Sequence, residues 1–163
     1  FEKMEMEHSV ILEEKNLDED SRMTKQEKTR EKGAVERVCI EEGTQVINIH
    51  IAQGEPLTWK ACEESLEMAR KFWGEDKPYV CHSWLLYPGL DAVLSENSNI
   101  REFRKHFEVL QVDYKEREAE WRVFGKVLKN IVEYPEDTSL QKRVKEHLLN
   151  GKTFGNGWGI WEV

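Results

Sequence analysis

The segment Gln53 to Thr58 separates a strand-like run from a helix-like run and contains one glycine, Gly54. A glycine turn in this position directs unpaired backbone N–H groups and the positive end of the helix toward one point. Such a point suits an anion, above all a phosphate. A plain strand-to-helix connection has the same pattern, since a single glycine is a weak motif. The segment therefore predicts an anion site, with a purely structural connection as the alternative.

Two histidines, His50 and His82, lie in strand-like runs before and after this turn and helix. Imidazole titrates close to neutral pH, so either ring is a candidate general base. A structural histidine is the alternative for each. Tyr87, just past the second run, is a candidate proton donor, with an aromatic cover over the strand end as its alternative.

The run Cys81-His82-Ser83 does not predict a nucleophile activated by its neighbour. Adjacent residues of a strand point to opposite faces, so His82 reaches neither flanking side chain, and no Gly-x-Ser-x-Gly elbow is present. The three cysteines, which include Cys39 and Cys62, lack the paired short spacings of zinc sites and disulfide frameworks. We expect reduced thiols and no metal.

The elements that must position these groups form a mixed pattern of strands and helices. Ala34–Ile40 and Val46–Ile51 predict two strands joined as a hairpin. In the second strand the isoleucines share one face, and the polar face is free to meet a ligand. The polar-face residues are Val46, Asn48 and His50, and the isoleucines are Ile47, Ile49 and Ile51.

Thr58 is a suitable N-cap for an amphipathic helix that runs to about Trp73, and Tyr79–Leu86 predicts the next strand. A strand, a helix and a strand in this order predict a right-handed βαβ crossover with parallel strands. The remaining pattern predicts a helix capped by Ser98, a strand over 108–113, a helix over 118–124 ended by Gly125, a helix begun by Thr138, and a final strand or hairpin over 154–163. The fold class is α/β (α+β), with a mixed twisted sheet and flanking helices.

Charge and composition exclude several classes of function. The chain has 24 basic and 32 acidic residues and a net charge of −8, which disfavours nucleic acid and anionic lipid as partners. No apolar run approaches the roughly 18 residues of a membrane helix, and the start has no signal pattern. We expect a soluble, cytoplasmic protein with a charged arm, or a remnant of a preceding domain, over 1–33 and one domain over 34–163. A chain that opens on Phe1 indicates part of a longer protein.

Several short motifs, in the same order, resemble the C-terminal domain of GNAT-like acyltransferases over about residues 34–160. They are His50–Thr58, Cys81–Leu86, Ser98-Asn99-Ile100 with Phe103 and Phe107, and Asp137–Gln141. The resemblance implies a GNAT-like half in which the strand before the loop splays from its parallel neighbour. Glu55 and Pro56 replace the second glycine of the usual loop, and Glu55 adds a negative charge near the proposed anion.

The same resemblance implies a role for each candidate residue. Backbone groups of Ile49 and Ile51 would bind pantetheine, N–H groups of Gln53, Gly54, Leu57 and Thr58 would bind pyrophosphate, and His82 and Tyr87 would serve as base and acid. A small basic group, Arg101, Arg104, Lys105 and His106, would reach the 3′-phosphate of CoA or else form a solvated helix face.

The implied function is acyl-CoA-dependent N-acylation, with this chain as the CoA-binding half. Acetyl-CoA or another acyl-CoA is the co-substrate and an amine is the acceptor. The expected partners are the N-terminal half of the same protein and a second copy in a homo-oligomer. The alternatives are a non-catalytic ligand-binding or assembly module that keeps the fold, and a structural partner of the other half.

Overall fold

The computed structural model of the chain describes residues 3–5, 10–16, 40, 43–52, 54 and 57–161. Its strands form one six-stranded sheet in the order β1-β2-β3-β4-β6-β5. The strands are β1 Lys3–Glu5, β2 Val10–Asn16, β3 Gln45–Ile51, β4 Tyr79–Ser83, β5 Phe107–Asp113 and β6 Asn156–Trp161. The helices are α1 Trp59–Trp73, α2 Asn99–Arg104, α3 Glu118–Phe124 and α4 Ser139–Leu149, with short 3-10 helices at Trp84–Leu86, Pro88–Ala92 and Ile131–Glu133.

Helix α1 connects β3 to β4 and packs its apolar stripe on the sheet. The two strands pair in parallel, which confirms the predicted βαβ crossover. Ile47 and Ile49 on β3 pack with Cys62, Leu66 and other side chains of α1 in one buried cluster. The face that the isoleucines share is therefore the helix-covered face, as their period-two spacing predicts.

Strand β3 has a different antiparallel neighbour from the one its sequence suggests. Its whole length pairs with β2, from Val10↔Ile51 to Asn16↔Gln45, and its other edge pairs with β4. A strand has only two edges, so the hairpin expected with Ala34–Ile40 is not the pairing that β3 makes. Ile40 lies outside any strand, and 34–39 lie outside the described residues. The sheet also extends into the segment 1–33 that was expected to form an arm.

Strand β4 is shorter than the sequence suggests. It ends at Ser83 rather than Leu86, because the Ser83 hydroxyl accepts a hydrogen bond from the N–H of Leu85 at 3.2 Å and starts a 3-10 turn. The turn buries Trp84, Leu85 and Leu86. Tyr87 therefore lies four residues beyond the last residue of β4 rather than directly past the strand.

The later helices begin and end where local signals place them. Ser98 caps α2, Thr138 and Gln141 form a capping box on α4, and Gly125 ends α3 with φ of 69°. A second apolar cluster packs α3 and α4 against Trp84 and Leu85, in the 3-10 turn that follows β4. None of the helices in the described part of the chain is long and apolar enough to cross a membrane.

Candidate functional site

Strands β3 and β4 separate after a short common ladder. Two pairs join them, Ile47↔Tyr79 and Asn48↔Val80, although β3 continues to Ile51 and β4 to Ser83. A cavity of about 210 Å³ lies where the two strands diverge, lined by the ends of both strands and by α3. The crossover thus opens a cleft between two parallel strands.

Backbone groups of β3 face this cleft. Ile47 donates its N–H to the carbonyl of Pro78 at 2.9 Å, on the β4 side. Backbone groups of a strand alternate sides with a period of two, so those of Ile49 and Ile51 point the same way. Both residues line the cavity. The two positions that the resemblance assigned to pantetheine therefore present polar backbone at the opening.

The turn between β3 and α1 has the geometry of an open helix N-terminus. Gly54 is exposed, with φ of +93°, and a side chain there would meet nothing within 4 Å. The Thr58 hydroxyl accepts a hydrogen bond from the N–H of Ala61 at 3.4 Å, which makes it the N-cap of α1. Leu57 packs between the two apolar clusters and fixes the approach of the chain. Gln53, Glu55 and Pro56 lie outside the described residues.

His82 lines the cavity from β4 and lies on the face opposite the helix-covered one. Its Nε2 is 2.8 Å from Oδ2 of Asp113, the last residue of β5. The ring stacks on Trp158 of β6, with 4.2 Å between centroids and 13° between planes. The His82 side chain is 30% exposed and that of Asp113 is 16% exposed, so solvent reaches the imidazole more than its partner.

Asp113 is a site residue that sequence reasoning missed. It lies 31 positions from His82 and on a strand that is not adjacent to β4. The two side chains meet because β6 lies between β4 and β5 and pairs antiparallel with both. No local sequence signal reports that strand order.

His50, the other candidate base, lies on the same face but in a more open place. It is exposed, lines the cavity from β3, and its Nε2 is 3.1 Å from Nδ2 of Asn48. An amide nitrogen only donates, so this contact uses the lone pair of Nε2. Of the two rings, His82 is held more firmly at the cavity, by the carboxylate of Asp113 and the indole of Trp158.

Tyr87 is not brought to the cavity with His82. Its ring packs edge-on against Tyr114 and Phe154, with centroids 6.0 and 6.1 Å away. Burial and the hydrogen bond with Tyr114 raise the pKa of Tyr87, which makes its phenol a weaker proton donor. The packing favours the aromatic-cover alternative, and the acid role stays a prediction.

Helix α3 adds two charged residues that sequence reasoning did not select. Glu118 and Arg122, one helical turn apart, both line the cavity. Nε of Arg122 is 3.3 Å from Oε1 of Glu118. The opposite side of α3 is anchored by buried Glu120, whose carboxylate accepts from the Tyr134 hydroxyl at 2.6 Å and also pairs with Arg117. The anchored helix holds one acidic and one basic group at the edge of the cleft.

The described cysteines are buried, although Cys81 also borders the cavity. Cys62 and Cys81 are free, buried thiols on the helix-covered face, and Cys39 lies outside the described residues. Burial raises the pKa of Cys62 to about 11 and raises that of Cys81 further. In the described part of the chain, no group of three or more His, Cys, Asp or Glu side chains is placed to hold a metal ion.

The small basic group near α2 is largely occupied within the protein. Arg101 and Arg104 both pair with Asp91, and Arg104 also donates to the carbonyl of Tyr87 at 3.1 Å. His106 stacks on Trp59, the first residue of α1, with 3.3 Å between ring centroids. These contacts favour a structural role over a contact with a CoA phosphate.

The sequence pattern of the GNAT-like C-terminal domain family matches this chain over residues 5–161. The chain belongs to this family. The expected family and the expected mixed sheet with flanking helices are confirmed. The match begins before residue 34, where the sequence pattern placed the start of the domain, and that boundary stays a prediction.

Solved structures of acyltransferases share the fold of this GNAT-like C-terminal domain. One, in complex with decanoyl-CoA, is 29% identical, with a TM-score of 0.66 over 74% of this chain and 41% of that one. Another, with decanoyl-CoA and teicoplanin, is 22% identical, with a TM-score of 0.69 over 94% of this chain and 45% of that one. A third, with CoA and 10C-teicoplanin, is 21% identical, with a TM-score of 0.70 over 95% of this chain and 45% of that one. The chain spans less than half the length of each, and no curated protein matches it.

Proposed function

We propose that this GNAT-like domain is the acyl-CoA-binding half of an N-acyltransferase that moves an acyl group from acyl-CoA to an amine. The observation that carries the proposal is the cleft between β3 and β4, whose lining includes Ile51 and Ala52 at the end of β3, just before the turn that leads to α1. The similar acyltransferase structures contain decanoyl-CoA or CoA, which supports this ligand class. The amine, the second half of the protein and a homo-oligomer remain predictions.

The cleft suits the pantetheine arm because it offers one free strand edge. Backbone groups of Ile49 and Ile51 face the gap left by the ended ladder. An extended chain with amide groups binds such an edge as an added strand would, through main-chain hydrogen bonds. In our proposal the arm enters the cavity of about 210 Å³ between the two strands.

The diphosphate would lie at the turn, where N–H groups and the helix end converge. Helix α1 has 15 residues, and its first turn carries no acidic side chain to compete with an anion. In our proposal the N–H groups of Gly54, Leu57 and Thr58 are the donors, together with that of Gln53. The exposed Gly54 leaves room for close approach of an anion to the backbone.

The chemistry requires one proton to leave the attacking amine. His82 is the proposed base, since its ring lines the cavity and imidazole titrates near neutral pH. A thiol has a reference pKa of about 8.5, so the CoA thiolate leaves without strict need for an acid. The predicted donor Tyr87 is therefore dispensable in this scheme.

Titration calorimetry tests the binding step with CoA, acetyl-CoA and decanoyl-CoA as probes. We expect heat with at least one of them and a loss of about tenfold or more in affinity for Gly54→Val, since the side chain would occupy the space over the turn. Gly43→Val is the matched control, because Gly43 has φ of +85° and equally open surroundings. It imposes the same backbone strain away from the cleft.

The outcomes separate the proposal from its alternatives. Equal affinity of Gly54→Val and the wild-type chain would place the site elsewhere. Absence of heat with all three probes would contradict acyl-CoA binding and favour the non-catalytic module. Turnover with decanoyl-CoA and an amine such as n-butylamine or teicoplanin, followed as CoA thiol release from the full-length protein, tests the transferase step.

A further inference from the structure

The two ring nitrogens of His82 are in different environments. Nε2 is 2.8 Å from a carboxylate oxygen of Asp113, whereas Nδ1 has no protein partner among the described residues. We infer that His82 takes the proton of the amine through Nδ1, and that Asp113 and Trp158 are positioning residues that fix this tautomer and the plane of the ring. The inference rests on the proposed function and names the atom that performs it.

The carboxylate of Asp113 dictates the tautomer. An ionised carboxylate only accepts hydrogen bonds, so the nitrogen that faces it must carry the proton. The other oxygen, Oδ1, accepts from the backbone N–H of Lys115 at 3.2 Å, which fixes the orientation of the carboxylate. In neutral His82 the lone pair is therefore on Nδ1.

Trp158 fixes the plane of the imidazole. Trp158 is the direct cross-strand partner of His82 on β4 and of Gln111 on β5. It therefore lies between these two residues across the sheet. Its indole stacks on the His82 ring at 4.2 Å and packs against the small apolar cluster that contains Val80 and Ile160. The ring is thus held by a stack on its face and a hydrogen bond at its edge.

The other basic groups at the cavity have their lone pairs or charges engaged. Nε2 of His50 faces the Asn48 amide, and the carboxylate of Glu118 faces Arg122. His82 is the group whose available nitrogen is set by a fixed partner. This arrangement distinguishes it from both neighbours.

The proposed step transfers the acyl group from CoA to the amine and the proton of the amine to His82. The nitrogen of a neutral amine attacks the thioester carbonyl carbon, a C–N bond forms and the C–S bond breaks. The proton of the amine nitrogen moves to Nδ1 of His82, which becomes imidazolium, and CoA leaves as thiolate. The thiolate then takes that proton, directly or through solvent, to give an amide, free CoA and neutral His82.

The first experiment is nitrogen-15 NMR of the five histidines, with His82 assigned from its absence in His82→Gln. We expect the Nε2–H tautomer of His82 in the wild-type chain and the Nδ1–H tautomer in Asp113→Asn, because an amide can donate to Nε2 and leave it without its proton. Glu108→Gln removes a carboxylate from the same strand and is the control. An Nδ1–H tautomer in the wild type overturns the inference whether or not the protein transfers acyl groups.

The second experiment is steady-state kinetics of the full-length protein with decanoyl-CoA and n-butylamine. Asp113→Asn should lower kcat by about 100-fold, the lower range for loss of a general base, with KM for decanoyl-CoA within about threefold. Trp158→Leu should lower kcat by about tenfold, and Trp158→Phe, which keeps a stacking ring, should recover most of it. An Asp113→Asn variant with wild-type kcat overturns the inference. An inactive wild type that binds no CoA overturns the proposed function instead.

Discussion

On the helix-covered face of the sheet, β3 and β4 contribute Ile47, Ile49 and Cys81, each at most 2% exposed. On the opposite face the same strands contribute His50, which is exposed, and His82, whose side chain is 30% exposed. Cys81 and His82 are adjacent in sequence and both border the cavity, yet Cys81 is a buried thiol, 1% exposed, and His82 is partly open to solvent.

The contrast shows how one pair of strands serves two purposes. The period-two alternation of a strand places stabilising and reactive residues on opposite faces without any separation along the chain. Substitutions on the helix-covered face should therefore change stability, and those on the opposite face should change binding or rate.

The largest effect on stability should come from Leu66→Ala. Leu66 is 1% exposed and lies in the cluster between α1 and the sheet. We expect a loss of about 2–5 kcal/mol in the free energy of unfolding, from lost burial and the cavity left behind. Urea unfolding followed by circular dichroism measures it. His50→Ala on the other face is the comparison, with an expected change of at most about 0.5 kcal/mol. Equal losses for both variants would contradict the division.

A smaller effect should come from Thr58→Ala, which removes the N-cap of α1. We expect about 1 kcal/mol of lost stability. CoA affinity should change less than threefold, because the proposed donors are backbone N–H groups. Thr138→Ala removes the cap of α4, which is remote from the cleft, and serves as the control. A tenfold loss of affinity in Thr58→Ala alone would show that its hydroxyl binds the ligand.

The mildest perturbation is a rise in pH. The pKa of Cys62 is raised by burial from 9.0 to about 11, so the folded chain keeps a proton that the unfolded chain releases. The stability contributed by this neutral thiol is complete below pH 9 and is lost as the pH rises toward 11. Urea midpoints across this range should fall less in Cys62→Ala than in the wild type. Parallel curves would show that Cys62 does not titrate with unfolding.

The same burial predicts low thiol reactivity. In a Cys39→Ser background, Cys62 and Cys81 should react with a thiol reagent only as fast as the chain opens. Rapid modification of either one in the native protein would show that the helix-covered face is accessible. Reaction under denaturing conditions confirms that both thiols are free.

Local elements of the fold were predictable because their signals are local. Thr58, Ser98, Thr138 and Gly125 mark helix ends by side-chain caps or by a left-handed residue, and each acts within a few residues. The crossover and the faces of β3 followed from spacing alone. The GNAT-like family followed from several short motifs in order.

The parts that were missed depend on contacts between distant segments. The pairing of β2 with β3 could not be predicted, because several strand-like segments have similar sequence patterns and any of them could pair with the free edge of β3. The contact of Asp113 with His82, and the position of Glu118 and Arg122 at the cleft, depend on the tertiary arrangement. The early end of β4 depends on the hydrogen bond that the Ser83 hydroxyl accepts from Leu85. The sequence alone is equally consistent with a strand that continues through Ser83.

The central position of β6 has a consequence for how the site comes into being. Strand β6 is the last element of the described chain, yet it lies between β4 and β5 and carries the indole that supports His82. During synthesis His82 and Asp113 are both made well before Asn156–Trp161, and they cannot come into register until that strand inserts between theirs. Insertion between two existing strands is a non-local event that makes sheets slow to form. The contact between His82 and Asp113 therefore forms only once β6 is in place, and we expect the proposed base to be set up late in folding.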